Sequence, residues 1–261
     1  MLRPRIIPCL LVHNGGLVKT EQFTSPKYVG DPINAVKIFC EKETDELMVL
    51  DIDATANGTA PNISMIRNLA AECRMPLCYG GGVTTVDQAK QIIGLGVEKL
   101  AISAAAVANP ALIRAVADEI GSQSVIVVLD VRRNAAGSNE VWTHNGRRNT
   151  GLSPLALAKQ VEALGAGEVV INSIDQDGRM QGFDLELART VRAAVHLPLT
   201  ILGGAGSLAH CEALIRECGV IGVSAGSLFV FKGPFRAVLI NYPTPAQKDR
   251  IIEAALASRA S

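Results

Sequence analysis

Several things are scarce in this 261-residue chain. Aromatic residues make up 4%, with a single Trp, so the aromatic platforms on which nucleic-acid bases stack are missing. Lys plus Arg equals Asp plus Glu at 25 each, which leaves no basic excess for a phosphate backbone or an anionic membrane surface. No apolar run approaches the eighteen or so residues needed to cross a bilayer. Met1 to Leu11 carries Arg3 and Arg5 around a strand too short to be a signal peptide. The expectation is a soluble, cytoplasmic protein whose ligand is a small molecule or another protein, with no nucleic acid and no membrane as partner.

Histidine is scarce too, at four. His13 and His144 fall in loops after strands, while His196 and His210 flank an apolar run on segments leading away from the expected site, so no Ser/His/Asp or Cys/His arrangement assembles. Six cysteines (Cys9, Cys40, Cys73, Cys78, Cys211, Cys218) lie scattered without a CxxC pair or a zinc spacing. They read as free thiols of a reducing compartment, and no chemistry is assigned to them. Asp175, Asp177 and Gly178 resemble the start of a calcium loop, but the remaining ligands are missing, so neither metal nor cofactor is expected.

What the chain has in quantity is apolar residues, 48% of the total, grouped in runs of strand length. The runs are Arg5 to Leu11, Glu46 to Asp51, Pro76 to Tyr79, Lys99 to Ser103, Ser124 to Asp130, Glu168 to Asn172, Leu199 to Leu202 and Val220 to Ser224. Continuous rather than alternating apolar character marks strands covered on both faces, as in a parallel sheet with helices outside. Helical patterns follow most of them. Asp31 with Pro32, Asn109 with Pro110 and Ser153 with Pro154 look like N-caps followed by a first helical proline, and Thr85 to Gly94, Asp184 to Val195, Leu208 to Glu217 and a segment from Pro245 complete the set. The regular β-then-α alternation predicts a single (β/α)₈ barrel domain over residues 1–261, with an open doubly wound sheet as the alternative.

One stretch is written twice. PLCYGGG at Pro76 to Gly82 matches PLTILGG at Pro198 to Gly204, an offset of 122, and each copy is followed by a second apolar run ending in small residues. Two fused half-barrels explain this, and in a closed eight-strand ring they set strands three and seven across the axis from one another. Gly80, Gly81 and Gly82 on one side, and Gly203, Gly204 and Gly206 on the other, allow backbone N–H groups to approach an anion, with a helix N-terminus behind each. Two facing cradles imply a small-molecule substrate with two phosphates; alternatively the glycines make tight βα turns. Asp130 closes the fifth run, and Asp51, Asp53 and Asp175 lie at or beyond other strand ends. A carboxylate ending an apolar strand is costly unless it is bonded or solvated, so Asp130 is the leading general acid/base candidate. A helix-capping role or a pair with Lys19 is the alternative.

Ten short motifs carry a resemblance: RIIPCL at Arg5 to Leu10, LVKT at Leu17 to Thr20, GDP at Gly30 to Pro32, DEL..LDI at Asp45 to Ile52, GGG at Gly80 to Gly82, AAVANP at Ala105 to Pro110, THNGRRNTG at Thr143 to Gly151, GAGE at Gly165 to Glu168, SIDQDG at Ser173 to Gly178 and GGAG at Gly203 to Gly206. Over nearly its whole length the chain resembles the cyclase subunit of imidazole glycerol phosphate synthase. The resemblance implies a barrel that docks a glutaminase on its N-terminal face and receives ammonia through its axis. It also implies a gate of Arg5, Glu46, Lys99 and Glu168, a catalytic Asp130, and substrate phosphates held by Lys19, Gly81, Gly82, Ser103, Asp177, Gly178, Gly203, Gly204, Gly226 and Ser227.

The chain departs from that family where the chemistry would occur. Leu11 stands in place of the second catalytic aspartate, Ser103 and Ala104 replace an Asn and a hydroxyl residue after strand four, Asn172 a hydroxyl residue, Leu202 a serine and Asp53 a Thr. The expectation is therefore a paralogue, similar to the cyclase-like proteins that work with a glutaminase and a sugar amidotransferase in surface-polysaccharide (lipopolysaccharide) biosynthesis, a branch that KYVGDPINAVKIF at Lys27 to Phe39 resembles. Two alternatives stay open: a working histidine-biosynthesis cyclase (a lyase) in which Asp51 or Asp53 substitutes, and a non-catalytic scaffold that activates the glutaminase.

Overall fold

Val, Ile and Leu dominate the apolar runs, and in the computed structural model each run becomes a parallel strand. The structure describes residues 3–260; the expected domain limits at 1 and 261 lie outside the described residues. The barrel strands are β1 (Arg5–His13), β2 (Leu47–Asp51), β3 (Leu77–Gly80), β4 (Lys99–Ile102), β5 (Val125–Arg133), β6 (Glu168–Ser173), β7 (Leu199–Leu202) and β8 (Gly222–Ala225). Each pairs in parallel with the next, and β8 pairs with β1, so the ring closes as a (β/α)₈ barrel. Closure excludes the doubly wound sheet.

Among the described residues eight longer helices pack outside: α1 (Pro32–Glu41), α2 (Ile63–Glu72), α3 (Val86–Ile93), α4 (Ala111–Ile120), α5 (Pro154–Ala163), α6 (Leu185–Ala194), α7 (Leu208–Cys218) and α8 (Pro245–Ala260). Local chemistry starts them. Asp31 accepts from the Asn34 amide ahead of Pro32, and Thr85 with Gln88 forms a reciprocal capping box. The sequence reading missed α2, although Asn62 caps it and Ile66 and Leu69 sit three apart on its buried side. Among the described residues, no helix is long and apolar enough to cross a membrane.

The apolar core has two shells. The larger lies between strands and helices; the smaller fills the barrel interior with Ile7, Cys9, Met48, Cys78, Ala101, Ile126, Val128, Val170 and Leu202. Strand alternation then dictates what reaches the C-terminal mouth. Leu11 pairs with Leu50 and Leu50 with Gly80, while Asn172 pairs with both Asp130 and Leu202. These residues form the top layer of the interior.

Candidate functional site

The mouth holds a cavity of about 150 Å³, lined by the ends of the strands and the loops that follow them. Asp130 is its central acid. The Asn172 amide Nδ2 donates to Asp130 Oδ1 at 2.9 Å, and burial pushes the carboxyl up to about 7, with the hydrogen bond opposing and the charge of Asp177 adding to the rise. A carboxyl poised there can give or take a proton near neutrality. Among the described residues Asp130 bonds to Asn172 rather than to a helix N-terminus, and Lys19 donates to the Cys9 carbonyl rather than to Asp130. The apolar side chains of Leu11, Leu50 and Leu202 line the same cavity.

Other acids reach the opening unequally. Asp51 lines the cavity and caps the short helix Ile52–Asn57, accepting from the amides of Asp53 and Ala54 at 2.9 and 3.1 Å; burial raises its carboxyl against those two bonds. Asp53 does not line the cavity. It is held by His13 Nδ1 at 2.7 Å and by the Asn14 amide at 2.6 Å.

The two glycine turns face one another as the repeat implies, and each is backed by a second element, the short helices Ala104–Ala108 and Ser227–Val230. Ser103 is the N-cap residue of the first, without a side-chain cap bond; Gly226 and Ser227 open the second. The glycines are required by close packing as well. A Cβ on Gly81, at φ +129°, would lie 2.5 Å from the Asp51 carbonyl oxygen, and one on Gly204, at φ +110°, would lie 2.0 Å from that of Gly182. Gly82 and Gly203 meet neighbouring backbone in the same way. Lys19 is buried, donating at 2.5 Å to the Cys9 carbonyl, and burial pulls its ammonium below the usual lysine value. Gly226 makes room for it, since a Cβ there would come within 2.6 Å of Lys19 Nζ.

Lys19 rides on an antiparallel hairpin, Gly16–Glu21 with Thr24–Gly30, that sequence patterning did not reveal. Asp177 ties this hairpin to the end of β6: its carboxylate accepts from Thr20 Oγ1 at 2.7 Å and from the Phe23 amide at 3.3 Å, and burial raises its carboxyl. Gly178 sits against Thr20, where a Cβ would meet the carbonyl oxygen at 2.1 Å. Asp175 turns elsewhere, to the Arg133 amide at 2.9 Å, so the two acids of the calcium-like motif diverge. A second hairpin, Asn139–Thr143 with Arg148–Asn149, carries His144 and Asn145 over the cavity, with Asn145 Nδ2 donating to the Ile52 carbonyl at 2.7 Å. His210 does not lead away. It reaches back to accept the Gly206 amide at 3.1 Å behind the second glycine turn.

At the opposite end of the barrel, Arg5, Glu46, Lys99 and Glu168 meet in one ring. Arg5 donates to Glu46 and, at 2.6 Å, to Glu168; Lys99 donates to the same two at 2.7 and 3.1 Å. Thr200, fully buried on β7, adds a 2.5 Å bond to Glu168, a contributor visible in the sequence only as a polar residue inside an apolar run. Burial would raise Glu168, but Arg5 and Lys99 outweigh it and hold the carboxyl below its ordinary value. Burial would likewise lower Arg5, and the two glutamates raise it.

With a closed barrel, a poised Asp130 between facing glycine turns and this four-charge ring in view, comparison with known proteins decides the family. The family model described as histidine biosynthesis protein matches residues 5–236. A protein of Leptospira borgpetersenii named "Putative imidazole glycerol phosphate synthase subunit HisF" is 52% identical over 96% of this chain and 99% of its own length. This chain belongs to the HisF family. A Pseudomonas aeruginosa relative named as subunit hisF2, with the same qualifier, is 51% identical over 93% of this chain and 97% of its own. A Streptomyces coelicolor relative named "Imidazole glycerol phosphate synthase subunit HisF" is 40% identical over 88% of this chain and 91% of its own.

Proposed function

We propose that this HisF-family chain is one barrel domain that docks a glutaminase on its N-terminal face, admits ammonia past the Arg5, Glu46, Lys99 and Glu168 ring, and passes it on for another acceptor. In this reading the acceptor is a nucleotide-linked sugar amidated by a separate enzyme in surface-polysaccharide biosynthesis. Leu11 is the observation that carries it. A leucine neither gives nor takes a proton, so Asp130 faces Leu11, Leu50 and Leu202 without an acid partner on β1, and a positioned acid or base typically contributes a hundredfold to ten-thousandfold. The chain is more similar to the hisF2-named relative, at 51%, than to the plainly named Streptomyces subunit, at 40%, in keeping with a copy distinct from the ordinary subunit. Lys19, Gly81, Gly82, Ser103, Asp177, Gly178, Gly203, Gly204, Gly226 and Ser227 would hold the anionic groups of whatever enters the mouth, with Asp130 handling its proton.

The experiment is turnover of the bis-phosphate ribonucleotide substrate of imidazole glycerol phosphate synthase by the purified chain with ammonium salts. A rate at background is expected; a rate typical of that enzyme would overturn the proposal. One observation favours a second reading, a working cyclase. Asp51 lines the cavity opposite Val12 on β1, one position from Leu11, with its carboxyl raised by burial. Under that reading the chain turns the substrate over and Asp51→Asn abolishes the activity.

A further inference from the structure

Cys40 and Cys73 stand 33 positions apart and share no motif, yet the fold sets them side by side. The Cys40 sulfur touches the main chain on both sides of residue 73, donating to the Glu72 carbonyl at 3.3 Å and accepting from the Arg74 amide at 3.4 Å. The Cys73 thiol donates to the Met75 carbonyl at 3.2 Å. Both are half-buried, whereas Cys9, Cys78, Cys211 and Cys218 are buried. Cys40 and Cys73 are thus the more exposed of the six cysteines.

Their place in the barrel gives the pair a consequence. Cys40 lies in the last turn of α1 and Cys73 is the C-cap of α2, so both sit where helices return to the N-terminal face. Glu46 of the charged ring follows Cys40 by six residues, and β3 begins four residues after Cys73. The Leu47 amide donates to the Pro76 carbonyl at 2.9 Å, which already joins the two segments. A covalent link between the sulfurs would brace the entry to β2 and β3 beside Glu46.

We propose that Cys40 and Cys73 are a reversible modification site, closed to an intramolecular disulfide by a low-molecular-weight disulfide such as oxidised glutathione. Cys40 attacks as thiolate, breaking the reagent's S–S bond and releasing one reduced thiol. Cys73 then attacks the Cys40 sulfur and expels the second. The reagent gains the two electrons, the protein loses them, and the two thiol protons pass to the released thiolates. Burial pushes the Cys73 thiol up to about 11, which suits it to the second, intramolecular step rather than to the first. The inference goes beyond the glutaminase reading and does not rest on it.

The test is to incubate the native chain with oxidised glutathione, unfold it in acidic denaturant to quench exchange, block the remaining thiols with an alkylating agent in that denaturant, and digest for mass spectrometry. Two of the six cysteines should escape alkylation, a Cys40–Cys73 linked peptide should appear without retained glutathione, and dithiothreitol should restore both thiols. Because the link closes a long loop, the oxidised chain should also melt several degrees higher. Cys73→Ser should stop at a glutathione adduct on Cys40, and Cys40→Ser should leave Cys73 unmodified. Six alkylated cysteines after oxidation, a persistent adduct on wild-type Cys40, or linkage of any other pair would overturn the proposal.

Discussion

Replacing Asp130 by Asn should stabilise the protein at alkaline pH and not at acid pH. The folded-state carboxyl is raised from 3.8 to about 7, so between those values the folded chain holds a proton that the unfolded chain has released. Stability attributable to Asp130 is therefore fully present below 3.8, falls as pH rises toward 7, and is flat above it. At about 1.4 kcal/mol for each pH unit, the complete span corresponds to about 4 kcal/mol, of which some 2.5 kcal/mol separates pH 5 from pH 8. Asp130 borders the open cavity, and water there screens part of the cost, so we expect Asp130→Asn to gain about 1 to 2.5 kcal/mol on wild type between those two pH values. Urea unfolding of both proteins at pH 5, 6, 7 and 8 measures this directly. A gap between variant and wild type that is the same at every pH would refute the claim that a buried, poised carboxyl occupies the mouth.

Other perturbations have equally definite outcomes. Glu168→Ala leaves Arg5 and Lys99 sharing Glu46 alone and should cost about 3 to 5 kcal/mol at pH 7 by urea unfolding. Since Glu168 is held below its ordinary value of 4.5, its stabilisation is present above 4.5 and fades as pH falls through the lower folded value, so the penalty should shrink in acid. Gly178→Ala places a Cβ 2.1 Å from the Thr20 carbonyl at φ +69° and should cost roughly 2 kcal/mol or more, with faster proteolysis of residues 16–30 as the hairpin detaches. Gly226→Ala should displace the Lys19 ammonium and speed its acylation by amine-reactive reagents, while melting changes less than for Gly178→Ala.

What could be read from the sequence divides along physical lines. Parallel strands buried on both faces leave long runs such as SVIVVLD, and the doubled PLxxxGG stretch implied a closed ring with turns facing across it, as the strand pairings show. The hairpins at Gly16–Gly30 and Asn139–Asn149 left little trace because Thr24–Gly30 is largely exposed and the strands Gly16–Glu21 and Asn139–Thr143 bury few apolar side chains, Leu17 with Val18 in one and Val141 in the other, among polar residues. Helix α2 is a different case, since its cap and spacing were present and passed over. Glycine composition hinted at anion cradles, but that Gly81 and Gly204 are also demanded by the backbone packed against them depends on distances that only the fold supplies. The contact between Cys40 and Cys73, brought about by neighbouring helices, is of the same kind.

The central claim is that the mouth has lost one of two acids at position 11, and the most direct measurement is ammonium-driven cyclisation of the bis-phosphate ribonucleotide by wild type and by Leu11→Asp, side by side. The account predicts wild type at background and a gain of about a hundredfold or more in the variant. Wild-type turnover at the rate of an ordinary cyclase, unchanged or reduced by Leu11→Asp, would contradict it.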